Sequence, residues 1–204
     1  MTEATKFAFD DVSRTLIDGI IAKYPPGKQA SAVLPLLDLA QRQMGRTTGS
    51  AWLPRAAMQE VARMLDMPPI RVYEVATFYL MYNLAPIGTY HLQVCTTTPC
   101  WLRGSDEVVA ACRKVTGIQG WKETSADGKF TMTEVECLGA CVNAPVLQVN
   151  DDFFEDLDAE STERLLQALQ RGETPKPGSV TGRQTSAPDG GPTTLTSLTF
   201  GPAE

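Results

Sequence analysis

The sequence predicts an α+β chain in three parts. These are an N-terminal helical bundle over residues 1–86, an α/β domain over 87–171 and an extended C-terminal tail over 172–204. Three observations predict this. Apolar residues recur at helical spacing from residue 10 to 85. From residue 88 short alternating runs replace them, interleaved with helical stretches. Past Gly172 the periodicity stops, and Pro, Gly, Ser and Thr dominate.

The elements follow in order. Leu16, Ile17, Ile20 and Ile21 repeat at helical spacing after an acidic start. Val33, Leu36, Leu37 and Ala40 repeat the pattern, with Pro35 placed in the first turn. A third helix opens at Pro54, a favoured first position, and puts Met58, Val61, Ala62 and Leu65 on one face. A fourth follows Pro68-Pro69 through Val72, Tyr73, Val75, Ala76 and Tyr79. It is apolar nearly all round, so its own domain or a partner must cover it. Tyr90–Cys95 alternates as a strand does and ends on a cysteine. A helix is expected from Pro99 to Val115, then strands at 130–135 and 146–149, with a short fourth at 153–154 after an Asn150-Asp151-Asp152 turn. The last helix starts at Asp158, a good N-cap. It carries Leu165, Leu166 and Leu169 and stops at Gly172. The tail reads as disorder, or as an arm that orders against a partner.

Composition removes several function classes. The 204 residues hold 18 basic and 24 acidic side chains, net −6, with no basic stripe for nucleic acid. No run of apolar residues is long enough to span a membrane. Residues 1–11 carry Glu3, Asp10 and Asp11 and lack a basic region followed by an apolar one. No targeting peptide is therefore expected, and the expected compartment is a reducing cytoplasm. Five cysteines in such a compartment point to metal binding or redox chemistry rather than structural disulfides.

Four of the five are paired: Cys95-x4-Cys100 and Cys137-x3-Cys141. Each pair can reach one metal centre, and two pairs from distant loops can grip a two-iron cluster from opposite sides. Four thiolates suit either such a cluster or a tetrahedral zinc. Structural zinc favours shorter C-x2-C knuckles, although x4 lies within its range. A Rieske centre needs two histidines, and the chain has only His91. The C-x-x-C of a dithiol oxidoreductase is absent. Spacing alone thus favours iron–sulfur and leaves zinc, or unliganded thiols, open.

A 2Fe-2S centre with four thiolates is an anion, and the sequence supplies groups to meet it. Thr98 reads as an N-cap and Pro99 as a first helical residue, which would put Cys100 at the positive end of a helix. Gly139 lets the backbone between Cys137 and Cys141 turn sharply and aim N–H groups at sulfur. Cys112 joins the apolar face of its helix with Val108 and Val115 and reads as core. His91 reads as structural, Arg103 as solvated, and Trp101 as either a shield for the cluster or ordinary packing. No glycine-rich nucleotide loop and no Ser/His/Asp set is present, so the chain shows no substrate or flavin site of its own.

The segments VCTTTPCWLRGS (94–105) and EVECLGACVNAPVLQVNDDFFEDL (134–157) closely resemble the thioredoxin-like 2Fe-2S (NuoE-type) subunit of respiratory complex I, NADH:quinone oxidoreductase. VYEVATFYLMYNLAP (72–86) resembles that family's N-terminal helical domain, and TGRQTSAP (181–188) a phrase of its tail. The resemblance implies a thioredoxin-like α/β ferredoxin domain with Cys95, Cys100, Cys137 and Cys141 as ligands of one 2Fe-2S cluster. It implies FMN and NADH on a flavin/NADH-binding partner subunit, not on this chain, and a large iron–sulfur subunit nearby. The cluster would exchange single electrons with that flavin, off the main chain of clusters towards quinone. The complex would lie peripherally on the cytoplasmic face of the inner membrane. The thioredoxin fold also suggests a cis bond at Ala144–Pro145. Three alternatives stand beside this: the equivalent diaphorase subunit of an NAD-linked hydrogenase or formate dehydrogenase, a structural zinc-binding module, and a free-standing ferredoxin.

Overall fold

A computed structural model describes residues 6–184, 186, 188, 190 and 193–197. The acidic terminus around Glu3 and the end of the tail lie outside the described residues. The chain divides into two compact units, residues 1–89 and 90–204.

The first unit is helical: α1 (Asp11–Ile21), α2 (Val33–Thr48), α3 (Arg55–Met64) and α4 (Pro69–Phe78). Asp10 caps α1 by accepting from the Ser13 N–H at 2.7 Å. Pro35 sits in the first turn of α2, where a missing N–H costs nothing. Leu36, Leu37, Ala40, Ala57, Met58 and Val61 form the centre of the core. Pro54 is the N-cap of α3 rather than its first residue. Helix α4 is not covered by its own unit. Only Val72 and Ala76, one turn apart, are buried, while Ile70, Tyr73 and Phe78 are exposed, Phe78 by 77%. A helix at the rim of a small bundle has one face to bury, so its remaining apolar residues face outwards.

The second unit builds β1 (Tyr90–Cys95), α5 (Thr98–Leu102), α6 (Ser105–Thr116), β2 (Glu123–Thr124), β3 (Phe130–Val135), β4 (Leu147–Val149), β5 (Asp152–Glu155), α7 (Ala159–Gln170) and β6 (Gly178–Ser179). The sheet order is β2-β3-β1-β4-β5-β6. Strand β1 runs parallel to β3 and antiparallel to β4. Alternation along β1 sends Leu92 and Val94 into the core with Val108, Cys112, Leu165 and Leu166 of α6 and α7. Cys95 points into a separate small cluster with Cys100, Ala144 and Val146. Asp158 and Ser161 close a reciprocal capping box on α7.

The structure differs from the sequence reading in four further places. The helix expected from Pro99 to Val115 is two helices, because Gly104 at φ +99° takes a left-handed turn between them. Thr97, not Thr98, is the N-cap of α5, and Pro99 is its second residue. Two-residue strands β2 and β6 were not expected, since alternation has no meaning over two positions. The tail as far as Arg183 packs back on its own domain, an arrangement the sequence reading did not offer. Its Gly178–Ser179 segment pairs in parallel with Phe154–Glu155. The Ala144–Pro145 bond is cis, as the thioredoxin fold suggested.

His91 is structural. It is buried on β1, with Nε2 2.9 Å from Thr133 Oγ1. Burial pushes its pKa down to about 4. Between pH 4 and 6.5 the unfolded chain therefore takes up a proton that the folded chain refuses, so stability falls as pH falls through that window. The ceiling on this contribution is about 3 kcal/mol. Urea unfolding at about pH 7 and about pH 4.5 is expected to show it, and His91→Gln is expected to flatten the slope. An equal slope in the variant would contradict the assignment.

Candidate metal centre

Parallel pairing of β1 and β3 sets the site. Cys95 closes β1 opposite Val135, which closes β3. Parallel neighbours end at the same edge of a sheet, so the loops that follow them emerge side by side. The first passes through Thr96 and Thr97 into α5, which carries Cys100. The second carries Cys137 and Cys141, the latter opening a 3-10 turn over Cys141–Asn143. Two segments separated by 36 residues in the sequence are thereby brought together.

The sulfurs arrive as two pairs. Cys95 and Cys100 are both buried and lie in the same small apolar cluster. Cys137 Sγ and Cys141 Sγ stand 3.1 Å apart, more exposed to solvent. The two loops meet, because Leu138 and Ala140 of the second pack against the cluster that holds Cys95 and Cys100. Among the described residues no three His, Cys, Asp or Glu side chains converge as one metal ion would require.

N–H and O–H groups are aimed at these sulfurs. Burial raises the Cys95 pKa, but hydrogen bonds from the Thr97 hydroxyl, 3.2 Å away, from Cys100 and from the Thr97 and Leu138 N–H groups outweigh it and leave it lowered. Thr97 makes no capping bond with its side chain. The Gly139 N–H donates to Cys137 Sγ at 3.4 Å. Gly139 sits at φ +84° with open space where a Cβ would be, so backbone conformation rather than crowding requires glycine. Helix α5 has five residues and little macrodipole. Individual N–H donors replace the helix-end field read from the sequence. Burial, and then Cys95, push the Cys100 thiol up to about 12. Hydrogen bonding with Cys137 and then burial raise Cys141. Crowded thiols resist charging together until a cation replaces their protons. An all-sulfur donor set, in pairs and supplied with N–H donors, fits an iron–sulfur cluster.

Cys112 stays apart, fully buried among Val108, Phe130 and Leu166, where burial raises its pKa to about 12. Cys112→Ala is expected to leave the cluster's absorbance and iron content unchanged while costing about 1 kcal/mol of stability or more. Loss of iron in that variant would put a fifth thiol in the site. Arg103 is exposed, as expected. Trp101 is exposed by 56% and so packs little against this chain.

These features fit a class, the thioredoxin-like ferredoxins, with two cysteine pairs carried on loops at one edge of the sheet. Residues 17–170 match the thioredoxin-like [2Fe-2S] ferredoxin family, and the chain belongs to it. An NADH-quinone oxidoreductase subunit of Rickettsia conorii is 56% identical over 169 residues, 83% of this chain and 98% of that protein. The subunit of the same name from Rickettsia felis is 58% identical over 163 residues, covering 80% and 94%. NADH dehydrogenase [ubiquinone] flavoprotein 2, mitochondrial, of Dictyostelium discoideum is 46% identical over 200 residues, covering 98% and 78%. Among solved structures, a crystal structure of an NAD+-reducing [NiFe]-hydrogenase in the air-oxidized state superposes with a TM-score of 0.56 at 20% identity. The match covers 67% of this chain and only 23% of that one, and the likeness shows the fold alone.

Proposed function

We propose that this chain is the electron-carrying 2Fe-2S subunit of the NADH dehydrogenase module of respiratory complex I. Cys95, Cys100, Cys137 and Cys141 hold the cluster. The carrying observation is the meeting of two thiol pairs at the shared edge of β1 and β3, in a chain more than half identical to NADH-quinone oxidoreductase subunits. The cluster, when bound, supplies exchange of one electron at a time with the flavin of a partner. FMN and NADH belong to that flavin/NADH-binding subunit, and a large iron–sulfur subunit is the second neighbour. The chain is an oxidoreductase component, and the substrate chemistry belongs to its flavin/NADH-binding partner.

What its own residues do follows from their placement. Thr97, Leu138 and Gly139 turn donors towards sulfur and so favour an anionic centre. Cys95 and Cys100 anchor the buried side, while Cys137 and Cys141 leave the other side open to a partner. Trp101, Leu102 and Val142, close to the ligands in sequence, are exposed apolar residues, and the exposed side chains of α4 are others. Such residues suit subunit contacts. No helix among the described residues is long and apolar enough to cross a membrane. A peripheral place on the cytoplasmic face of the inner membrane is part of the complex I reading.

Purification from native membranes under anaerobic conditions tests the reading. Co-purification with flavin and a quinone-reducing complex, with two irons and two acid-labile sulfides per chain, is expected. One zinc per chain, or a soluble hydrogenase as the only companion, would overturn it.

A further inference from the structure

The tail reaches back to the metal centre. Arg183 grips Asp156, 27 positions earlier, with Nε to Oδ2 at 2.8 Å and Nη2 to Oδ1 at 2.5 Å. Both side chains are close to buried, 12% and 11% exposed. The same Nη2 also donates to the Val142 carbonyl at 2.8 Å. Val142 directly follows Cys141 and lies in its 3-10 turn. Asp156 is tied to that turn as well, its N–H donating to the Asn143 carbonyl at 2.7 Å. Ser179 of β6 donates to Asp156 Oδ2 at 2.6 Å, and the Asn143 side-chain amide donates to the Glu155 carboxylate. The Cys141 turn, the turn after β5 and the tail are thus joined at one point.

The Cys137–Cys141 loop needs such support. Cys137 is exposed and Cys141 half-buried, and the loop turns on a left-handed glycine. With little packing, hydrogen bonds decide where its sulfurs point. A planar guanidinium held by two bonds to a carboxylate is a rigid donor, and its third bond fixes a carbonyl one residue from a sulfur. Asp156 itself sits at φ +56°, strained for a non-glycine residue and kept there by these contacts.

We propose that Arg183 is a positioning residue for the cluster, holding the Cys141 turn in its ligating shape through the Val142 carbonyl while Asp156 fixes the guanidinium. The proposal rests on the function proposed above.

The test uses the full chain, loaded anaerobically with iron and sulfide, as parent, Arg183→Ala and Arg183→Lys. Lysine keeps the charge but not the fork. Removal of supporting partners around metal ligands costs about 10- to 100-fold in metal affinity. Iron release to a chelator is expected to accelerate about 10- to 100-fold in Arg183→Ala. Arg183→Lys is expected to fall nearer to alanine than to the parent. In both, the electron paramagnetic resonance line shape of the reduced protein should change. A merely structural strap would loosen the tail to protease and leave release rate and line shape at parental values, and that result would overturn the proposal. Should Arg183→Ala not fold, Arg183→Lys decides by the same two readouts. A parent chain that takes up no cluster would sink the function and this proposal together, whereas a loaded parent with indistinguishable variants would sink only the role of Arg183.

Discussion

Replacing any one of Cys95, Cys100, Cys137 or Cys141 by alanine is expected to abolish the visible absorbance of the cluster or leave it too short-lived to purify. In each variant one iron would lose one of its two thiolates. Loss of a supporting partner already costs about 10- to 100-fold in metal affinity, and loss of a ligand should exceed that. The four positions differ in what else they cost. Cys137 is exposed, so Cys137→Ala should leave the melting temperature of the metal-free chain unchanged while iron is lost. Cys100 is buried in the small cluster with Ala144 and Val146, and its removal should also lower that temperature. Iron and sulfide counts beside thermal melts measure both effects. Intact absorbance in any of the four variants would strike that residue from the ligand set.

Phe130→Ala is expected to give the largest loss of stability, about 3–5 kcal/mol. Phe130 is fully buried at the start of β3, in register with Tyr90 on β1, its ring 5.4 Å from the tyrosine ring. It fills the space between that strand pair and the helices α6 and α7. Such a loss is a large share of a total stability of about 5–15 kcal/mol. The same strand pair aligns the two cysteine loops, so faster cluster loss should accompany it. Urea unfolding of parent and variant measures the change. A shift smaller than about 1 kcal/mol would mean that the sheet and helices repack around the void.

Much of this was legible in the residues, and the exceptions share a cause. Helices α1 to α3, strands β1 and β3 and the cap at Asp158 follow from periodicity and local chemistry, which a sequence displays directly. The four cysteines were legible as pairs, because spacing within a loop is local. Meeting of the pairs is not local. It depends on β1 and β3 running parallel, and the family resemblance supplied that expectation. Gly104 hid a break because the residues on both sides continue a helical pattern. Thr97 and Thr98 are equally good caps on paper, and the extended backbone of Thr97, with Thr98 already helical, decides between them. Arg183 was legible only as part of a family-like phrase. Its partner lies 27 residues away in a turn, and no pattern announces a long-range ion pair. The exposed face of α4 was anticipated as a face needing cover, but whether its own unit provides that cover is a matter of packing.

The most direct test is an electron paramagnetic resonance spectrum of the anaerobically purified full chain, before and after reduction, with metals counted on the same sample. The expected result is a silent oxidised protein that gains one unpaired electron per chain on reduction, with two irons and no zinc. A chain that stays silent after reduction, or carries a single zinc between the two loops, would contradict it.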